Sequence, residues 1–155
     1  PGGPKMDRIA QDGDIHAYTF PKPIAGDDLD FSFSGIKTHA VNQIHQHKQK
    51  NENIQIADFA ASYQFSIATT LVNNAMLACE RLNCNTLCMA GGVSANSFLR
   101  SEMMTQSKKR GIQLFVPAIE LCTDNAAMVA CAGYYLYKSS NFADLSLNAC
   151  PTINI

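Results

Sequence analysis

The spacing of apolar residues predicts a mostly helical first half. From about Ile54 to Leu82, apolar side chains recur at helical intervals, which predicts one long amphipathic helix with Asp58 near its start. This stripe comprises positions 56, 59, 60, 63, 67, 71, 75, 78, 79 and 82. A second helix is predicted from Ser34 through about Gln49, and a shorter one between Lys5 and Gln11.

The second half alternates between short apolar runs and helical segments. Asn85–Ala90 and Gln113–Val116 lack polar alternation, which is typical of strands covered on both faces. Helices are predicted from Ser94 to Lys109, closed by Gly111, and from Thr123 to about Lys138. This order is typical of an α/β fold whose parallel strands are joined by right-handed crossovers.

The first 33 residues have a different character. They open on "PGGPKMD", a turn-forming stretch, and contain two short aromatic segments, Ala17–Phe20 and Phe31–Phe33, that are predicted to be strands. We therefore divide the chain into 1–33, a turn with short strands; 34–138, an α/β core; and 139–155, an irregular tail. Because domains rarely open on a tight turn, we expect the chain to be a fragment.

Composition narrows the class of protein. The chain has 155 residues, 46% of them hydrophobic and 16% charged, which predicts a globular domain with a real core. A net charge of -1 gives no overall attraction to nucleic acid. No apolar run reaches the ~18 residues of a membrane span, and we expect no signal peptide. The six cysteines form no C-x-x-C pair, and we interpret them as buried, reduced thiols of a cytoplasmic protein.

The stretch "AGGVSAN" follows the first predicted strand of the second half. Gly91 and Gly92 permit close backbone approach, and a helix beginning near Ser94 would present unpaired N–H groups to a phosphate. Asn96, in the first helical turn, would then bind a ribose or a base. The alternative is a tight turn with Ser94 as the N-cap.

The stretch "CTDNAAM" offers a carboxylate at the second predicted strand end. Thr123 is a candidate N-cap, and Asp124 would lie in the first helical turn, where its charge is favoured by the helix dipole. Alternatively, Asp124 ligates a metal in a cleft at the carboxyl ends of the strands. One carboxylate is not a metal site, so further ligands would have to come from elsewhere.

The opening turn and the histidines are the remaining candidates. The Gly3 N–H and the Asp7 carboxylate would together bind sugar hydroxyls, unless Asp7 instead forms a salt bridge on a helix surface. His45 and His47 are two positions apart, so on a helix they point in different directions, and we interpret them as a solvated face. The chain contains no H-x-x-x-H or H-E-x-x-H motif, so a free-standing metallopeptidase is not supported.

Four motifs in order carry a resemblance that runs from residue 1 to about 138. They are "PGGP" with Asp7, "LDFSFSGIKT", "GGVSANSFLR" and "ELCTDNAAMVACAG". Together they resemble the TsaD family, and "ELCTDNAAM" resembles its bacterial branch. The family was formerly described as a glycoprotease or O-sialoglycoprotein endopeptidase.

The resemblance implies a fold and an activity. It implies the two-lobed fold of actin, sugar kinases and Hsp70, with nucleotide between the lobes and this chain in the second lobe. It also implies transfer of a threonylcarbamoyl group from threonylcarbamoyl-AMP to N6 of adenosine 37, in tRNAs reading codons that start with A.

Site residues follow from the same resemblance. Gly3 and Asp7 would bind the adenylate near its ribose, and Asn96 would bind the nucleotide, which could also be ATP or ADP. The Gly91–Gly92 backbone would lie beside the phosphate, and Asp124 would ligate a metal, iron or zinc.

The chain lacks some of the residues that the family's activity requires. The family's other metal ligands form an H-x-x-x-H motif in the first lobe, and this chain has none, so we expect it to be inactive alone. Expected partners are tRNA, the N-terminal lobe, a non-catalytic TsaB-like paralogue and a TsaE-like ATPase, with no membrane. The alternatives are a metallopeptidase and a non-catalytic scaffold lobe of the same fold.

Overall fold

The computed structural model describes residues 2–21 and 29–148, which form an α/β structure dominated by helices. The helices are α1 (Gly2–Ala10), α2 (Ser34–Gln49), α3 (Ile56–Arg81), α4 (Ser97–Lys109) and α5 (Ala126–Lys138). Short 3₁₀ turns span Gly92–Ala95 and Ile119–Leu121. The predicted bounds of α2 are confirmed, and α3 begins and ends within two residues of its prediction.

The two predicted strands of the second half form a parallel pair. β1 (Thr86–Cys88) pairs with β2 (Gln113–Phe115) in parallel, with Leu87 opposite Leu114, and α4 connects them. Leu87 and Leu114 pack against the helices, whereas the alternate strand residues are exposed. The expectation that both strand faces are covered is therefore wrong for the described residues, in which helices cover one face. Gly111 ends the α4 segment at φ +67, as predicted.

Helix α3 is the centre of the packing. Its middle and second half join α4 in an apolar cluster of Ala68, Val72, Met76, Leu99 and Met103. Its first half packs against α1 through Ala60 and Ala61, and against α2 in a cluster with Phe20 and Ile36. Neighbours thus approach α3 from several directions.

This arrangement corrects the predicted stripe of α3. Ile56 and Leu82, at the ends of the stripe, are 68% and 75% exposed, whereas Ser62, Thr70 and Asn74 are buried outside it. The physical reason is that α1, α2 and α4 contact different sides of the helix, so burial spreads around it. A single apolar stripe does not describe that environment.

The N-terminal region also differs from its prediction. The helix predicted between Lys5 and Gln11 spans Gly2–Ala10, so it includes residues expected to form the opening turn. Neither Ala17–Phe20 nor Phe31–Phe33 is a strand. Side-chain contacts hold this region to α3. The Asp14 N–H donates to Oδ1 of Asp58 at 2.9 Å, and a Cβ on Gly13 would clash with the carbonyl oxygen of Ala57. Close contact with a helix therefore replaces the strand pairing expected from the aromatic residues.

The chain divides into two compact units, Pro1–Cys122 and Thr123–Ile155. In the second unit, α5 begins at Ala126 with Asn125 as N-cap, whose Oδ1 accepts from the Met128 N–H at 2.9 Å. The prediction of Thr123 as N-cap is wrong, because the asparagine amide makes that contact. Residues 139–148 contain no helix or strand, and the rest of the predicted tail lies outside the described residues.

The cysteine thiols differ in their exposure to solvent. Cys79 and Cys122 are buried and free, but Cys84, Cys88 and Cys131 are exposed and free, so the prediction of uniformly buried thiols is wrong. Cys150 lies outside the described residues. Across residues 2–21 and 29–148, no helix has the length and apolarity needed to cross a membrane.

Candidate functional site

The carboxyl end of β1 leads into a turn with an unusual backbone. Gly91 has φ +83, in the left-handed region that favours glycine, and the 3₁₀ turn Gly92–Ala95 follows. No heavy atom lies within 4 Å of a Cβ built on Gly91, so the backbone is open on that side. This Gly91–Ala95 turn is the part of the "AGGVSAN" prediction that remains open to a ligand.

The helix after the turn begins later than predicted. α4 starts at Ser97, and its N-cap is Asn96, whose Oδ1 accepts from the Leu99 N–H at 2.8 Å. Ser94 is not the cap. Its hydroxyl instead donates to the Gly91 carbonyl at 2.6 Å, inside the turn.

Asp7 of α1 lies against the same helix start. The Ser97 N–H donates to both carboxylate oxygens of Asp7, at 3.3 and 3.2 Å, and the Ser97 hydroxyl donates to Oδ1 at 2.8 Å. Nδ2 of Asn96 also donates to Oδ1 of Asp7, at 3.1 Å. Two predicted site residues 89 positions apart are therefore in direct contact.

These contacts correct the predicted phosphate site. The N–H groups of Ser97 and Leu99 bind side chains of the protein, and the Asp7 carboxylate already lies at the positive end of the α4 dipole. A phosphate would meet a negative charge there. The backbone of the Gly91–Ala95 turn is left as the candidate phosphate contact, without the dipole of α4.

Gln64 of α3 is a further candidate site residue, which the sequence prediction missed. Its Oε1 accepts from Nδ2 of Asn96 at 2.9 Å, so both hydrogens of that amide are bound, one to Gln64 and one to Asp7. The signal was a long polar amide between Tyr63 and Phe65, inside an apolar stretch. We call Asp7, Gln64, Asn96 and Ser97 the α4 cap network.

A small cavity of about 110 Å³ adjoins this network. It is lined by Gly3, Met6, Tyr63, Gln64, Ile67, Ala68, Leu71, Val93, Asn96 and Leu99. Gly3 and Asn96 therefore border one space. Burial raises the pKa of the Tyr63 hydroxyl, which keeps it protonated and able to donate at neutral pH.

Asp124 belongs to the second unit. It is exposed and precedes the N-cap Asn125, so it lies before the first turn of α5 instead of within it. Among residues 2–21 and 29–148, no three His, Cys, Asp or Glu side chains cluster closely enough to hold a metal ion. The described residues therefore do not form a metal site by themselves.

The histidine pair is partly as predicted. His45 is exposed, but His47 is half-buried, and its Nδ1 lies 3.1 Å from Oε2 of Glu52. The two side chains thus have different surroundings, and the prediction of one solvated face is wrong for His47.

Sequence comparison identifies the family. The sequence model of TsaD, tRNA N6-adenosine threonylcarbamoyltransferase, matches residues 1–131. The chain belongs to the TsaD family. Its membership confirms the resemblance carried by the four motifs.

Curated relatives agree with this assignment. The tRNA N6-adenosine threonylcarbamoyltransferase of Moorella thermoacetica is 43% identical over 154 residues, covering 99% of this chain and 45% of the relative. Those of Desulfitobacterium hafniense and Clostridium novyi are 44% and 45% identical, each covering 100% of this chain and 46% of the relative. The chain therefore spans about half the length of the curated relatives it matches.

One solved structure supports the fold. The crystal structure of T. kodakarensis HypF matches with a TM-score of 0.58 at 19% identity, over 88% of this chain and 17% of that one. At this identity the likeness concerns the fold alone. It supports the helix and strand arrangement described above.

Proposed function

We propose that this chain forms the adenylate-binding part of an enzyme that transfers a threonylcarbamoyl group from threonylcarbamoyl-AMP to N6 of adenosine 37 in tRNA. Family membership gives the reaction class. The observation that carries the assignment of the site is the contact between Asn96 and Asp7, because it joins two motif residues 89 positions apart and Asn96 lines the cavity.

The proposal includes the larger architecture. The chain would supply the second lobe of an actin-like, sugar-kinase-like and Hsp70-like fold, with residues 34–138 as its core and 1–33 leading in from the first lobe. The parallel β1–α4–β2 unit and the HypF likeness support an α/β lobe of this kind. The first lobe would supply the other wall of the cleft.

Each site residue has a proposed role. Asp7 would accept a hydrogen bond from a ribose hydroxyl through Oδ2, which among the described residues accepts only from the Ser97 N–H, whereas Oδ1 already accepts from Ser97 and Asn96. The open backbone of Gly91 and Gly92 would face the phosphate. Gly3 would allow the ligand to approach α1, where nothing lies within 4 Å of an added Cβ.

The reaction itself is an acyl transfer. The adenosine N6 attacks the carbamoyl carbon, the bond from that carbon to the phosphate oxygen breaks, the amine loses a proton, and AMP leaves. Fixed backbone dipoles beside the phosphate would bind its negative charge in the substrate and in the leaving AMP alike. The described residues present no Ser–His or Cys–His pair in hydrogen-bond contact, and the reaction does not require one.

Metal and partners belong to the proposal as well. Asp124 would contribute one ligand to an iron or zinc ion whose other ligands lie outside the described residues, so no step is assigned to the metal. The proposed partners are tRNA, the first lobe, a TsaB-like paralogue and a TsaE-like ATPase, in the cytoplasm. The proposed ligand of the isolated chain is the adenylate or another adenine nucleotide.

Activity in the complete gene product that contains this chain tests the proposal. Purified protein is incubated with tRNA and with the enzyme that makes threonylcarbamoyl-AMP, and modified adenosine is measured by mass spectrometry of nucleosides. We expect modification by the complete product and none by residues 1–155 alone. We expect Asp7→Ala and Asp124→Ala to reduce the rate at least about 100-fold.

A matched control accompanies these variants. Asp12→Ala removes an exposed carboxylate near α1 and should leave the rate unchanged. Unchanged modification by Asp124→Ala would remove that residue from the site. No modification by the complete product with all components present would overturn the proposed function, and cleavage of a sialoglycoprotein by the metal-loaded protein would favour a metallopeptidase.

A further inference from the structure

Arg100 of α4 joins the segments that follow the two strands. Its Nη1 donates to the Ser94 carbonyl at 2.9 Å, and its Nη2 donates to the Pro117 carbonyl at 2.8 Å. Ser94 lies in the Gly91–Ala95 turn after β1, and Pro117 lies just after β2. One guanidinium therefore fixes the distance between the two strand-end segments.

Buried groups reinforce this connection. Ser94 and Cys122 are each 3% exposed, and the Ser94 hydroxyl lies 3.2 Å from Sγ of Cys122. Nη1 of Arg100 lies 3.7 Å from the same sulfur. We call Ser94, Arg100, Pro117 and Cys122 the Arg100 cluster.

Binding the carbonyls of Ser94 and Pro117 together requires an arginine side chain. A guanidinium presents several N–H groups in a rigid planar fork, so it can bind two carbonyls that lie in different directions. A lysine ammonium is a single, strongly hydrated charge on a flexible stem and cannot reproduce that geometry. The Ser94 hydroxyl extends the contact to the Gly91 carbonyl at 2.6 Å, so the fork acts on the turn as a whole.

We propose that Arg100 is a positioning residue for the substrate phosphate, acting through the backbone of the Gly91–Ala95 turn without touching the substrate. This inference rests on the proposed function, in which the turn faces the phosphate. The turn would contact the phosphate in the bound substrate and in the transition state alike. Loss of the fork should therefore raise KM for threonylcarbamoyl-AMP more than it lowers kcat.

Kinetics of the complete gene product provide the first test. We expect Arg100→Lys to raise KM about tenfold while kcat changes less than about threefold. Arg110→Lys is the matched control, because Arg110 is exposed and contacts Gln106 on its own helix, and both parameters should stay at wild-type values. For Arg100→Ala, millimolar guanidinium should restore part of the lost affinity.

Amide hydrogen exchange of the 155-residue chain provides a second test that needs no catalysis. The Ser94 and Asn96 N–H groups donate within the turn, each at 3.0 Å. We expect Arg100→Lys to accelerate their exchange about tenfold, with the Met103 amide in the middle of α4 unchanged.

The outcomes separate this inference from the proposed function. Wild-type transfer with an unchanged KM in Arg100→Lys, or a fall in kcat at constant KM, would overturn the positioning role and leave the function standing. Absence of wild-type transfer would overturn the function, and the exchange measurement would still decide whether Arg100 holds the turn. Equal exchange rates in wild type and Arg100→Lys would refute that contact.

Discussion

The Gly91–Ala95 turn lies between two sets of contacts that differ in kind. The α4 cap network depends on side chains from α1, α3 and the N-cap of α4, since Asn96 donates to both Asp7 and Gln64. The Arg100 cluster instead depends on one side chain that binds the backbone carbonyls of Ser94 and Pro117. The first set is sensitive to the identity of every member, whereas the second is sensitive mainly to the arginine, because every residue has a carbonyl.

The largest expected effect comes from removing the side-chain donor of the α4 cap network. Asn96→Asp keeps an N-cap acceptor but replaces the amide that donates to Asp7 and Gln64 with a carboxylate oxygen. Two donated bonds are lost and two carboxylates face each other, so we expect the free energy of unfolding to fall by about 3 kcal/mol. Urea unfolding followed by circular dichroism measures this free energy of unfolding.

A double variant checks that the effect arises from this pair. Asp7→Asn combined with Asn96→Asp restores a donor opposite an acceptor, so the pair should be more stable than the sum of the single changes predicts. Additive losses would mean that the contact between the two residues does not contribute to stability.

The next effect concerns the turn held between the two sets of contacts. Gly91→Ala should lower the free energy of unfolding by about 1–2 kcal/mol, because alanine disfavours φ +83 while its Cβ meets no atom within 4 Å. Gly3→Ala is the control, since Gly3 lies in α1 with equally open space, and alanine there should be neutral or stabilising. Equal losses in the two variants would contradict the role of the positive φ.

A smaller effect is expected at Gln64. Gln64→Leu removes the acceptor for Asn96 in a half-buried position, which should cost about 1 kcal/mol, whereas Gln64→Glu keeps an acceptor and should lose less. The same unfolding measurement ranks the two. A leucine variant as stable as wild type would place Gln64 outside the α4 cap network.

The smallest expected effect is on the reactivity of cysteine thiols, and it distinguishes the Arg100 cluster from the α4 cap network. Cys122 is buried in the Arg100 cluster, so iodoacetamide should modify it at least about tenfold more slowly than the exposed Cys88. Gln64→Leu should leave this protection intact, and Arg100→Lys should reduce it. Mass spectrometry of the alkylated peptides measures the rates, and protection that survives Arg100→Lys would contradict the cluster.

Cys79 is the internal reference for that experiment. Burial, with a smaller contribution from the charge of Cys84, raises the pKa of its thiol, so it stays protonated and unreactive at neutral pH in all variants. Faster modification of Cys79 in a variant would indicate general unfolding instead of local opening.

Most helices could be predicted because their signals are local. Apolar spacing gave α2 and α3 nearly to the residue, and the positive φ of Gly111 was anticipated where α4 ends. The residues at which the helices begin were harder to predict. Ser94 and Asn96 are both good N-cap residues, and the choice depends on where Asp7 lies, which is a contact across 89 positions.

The N-terminal region shows the limit of the same reasoning. Aromatic-rich stretches such as Ala17–Phe20 favour strands, but no partner strand lies beside this one in the described residues. Its backbone bonds to side chains of α3 instead, for example from Tyr18 N–H to the Ser62 hydroxyl at 3.1 Å. The pattern of one segment does not reveal which surface it will meet.

The sequence by itself determined the family, most of the helical segments, the parallel strand pair and several candidate site residues. It did so because periodicity, glycine placement and motif order are properties of short stretches. The tertiary structure decided which polar atoms remain available. Asp7 and Asn96 occupy the start of α4, Gln64 completes their contacts, and Arg100 joins two loops. The contacts of Asn96 with Asp7 and Gln64 join residues 89 and 32 positions apart, and packing of α1 and α4 against α3 brings these segments together.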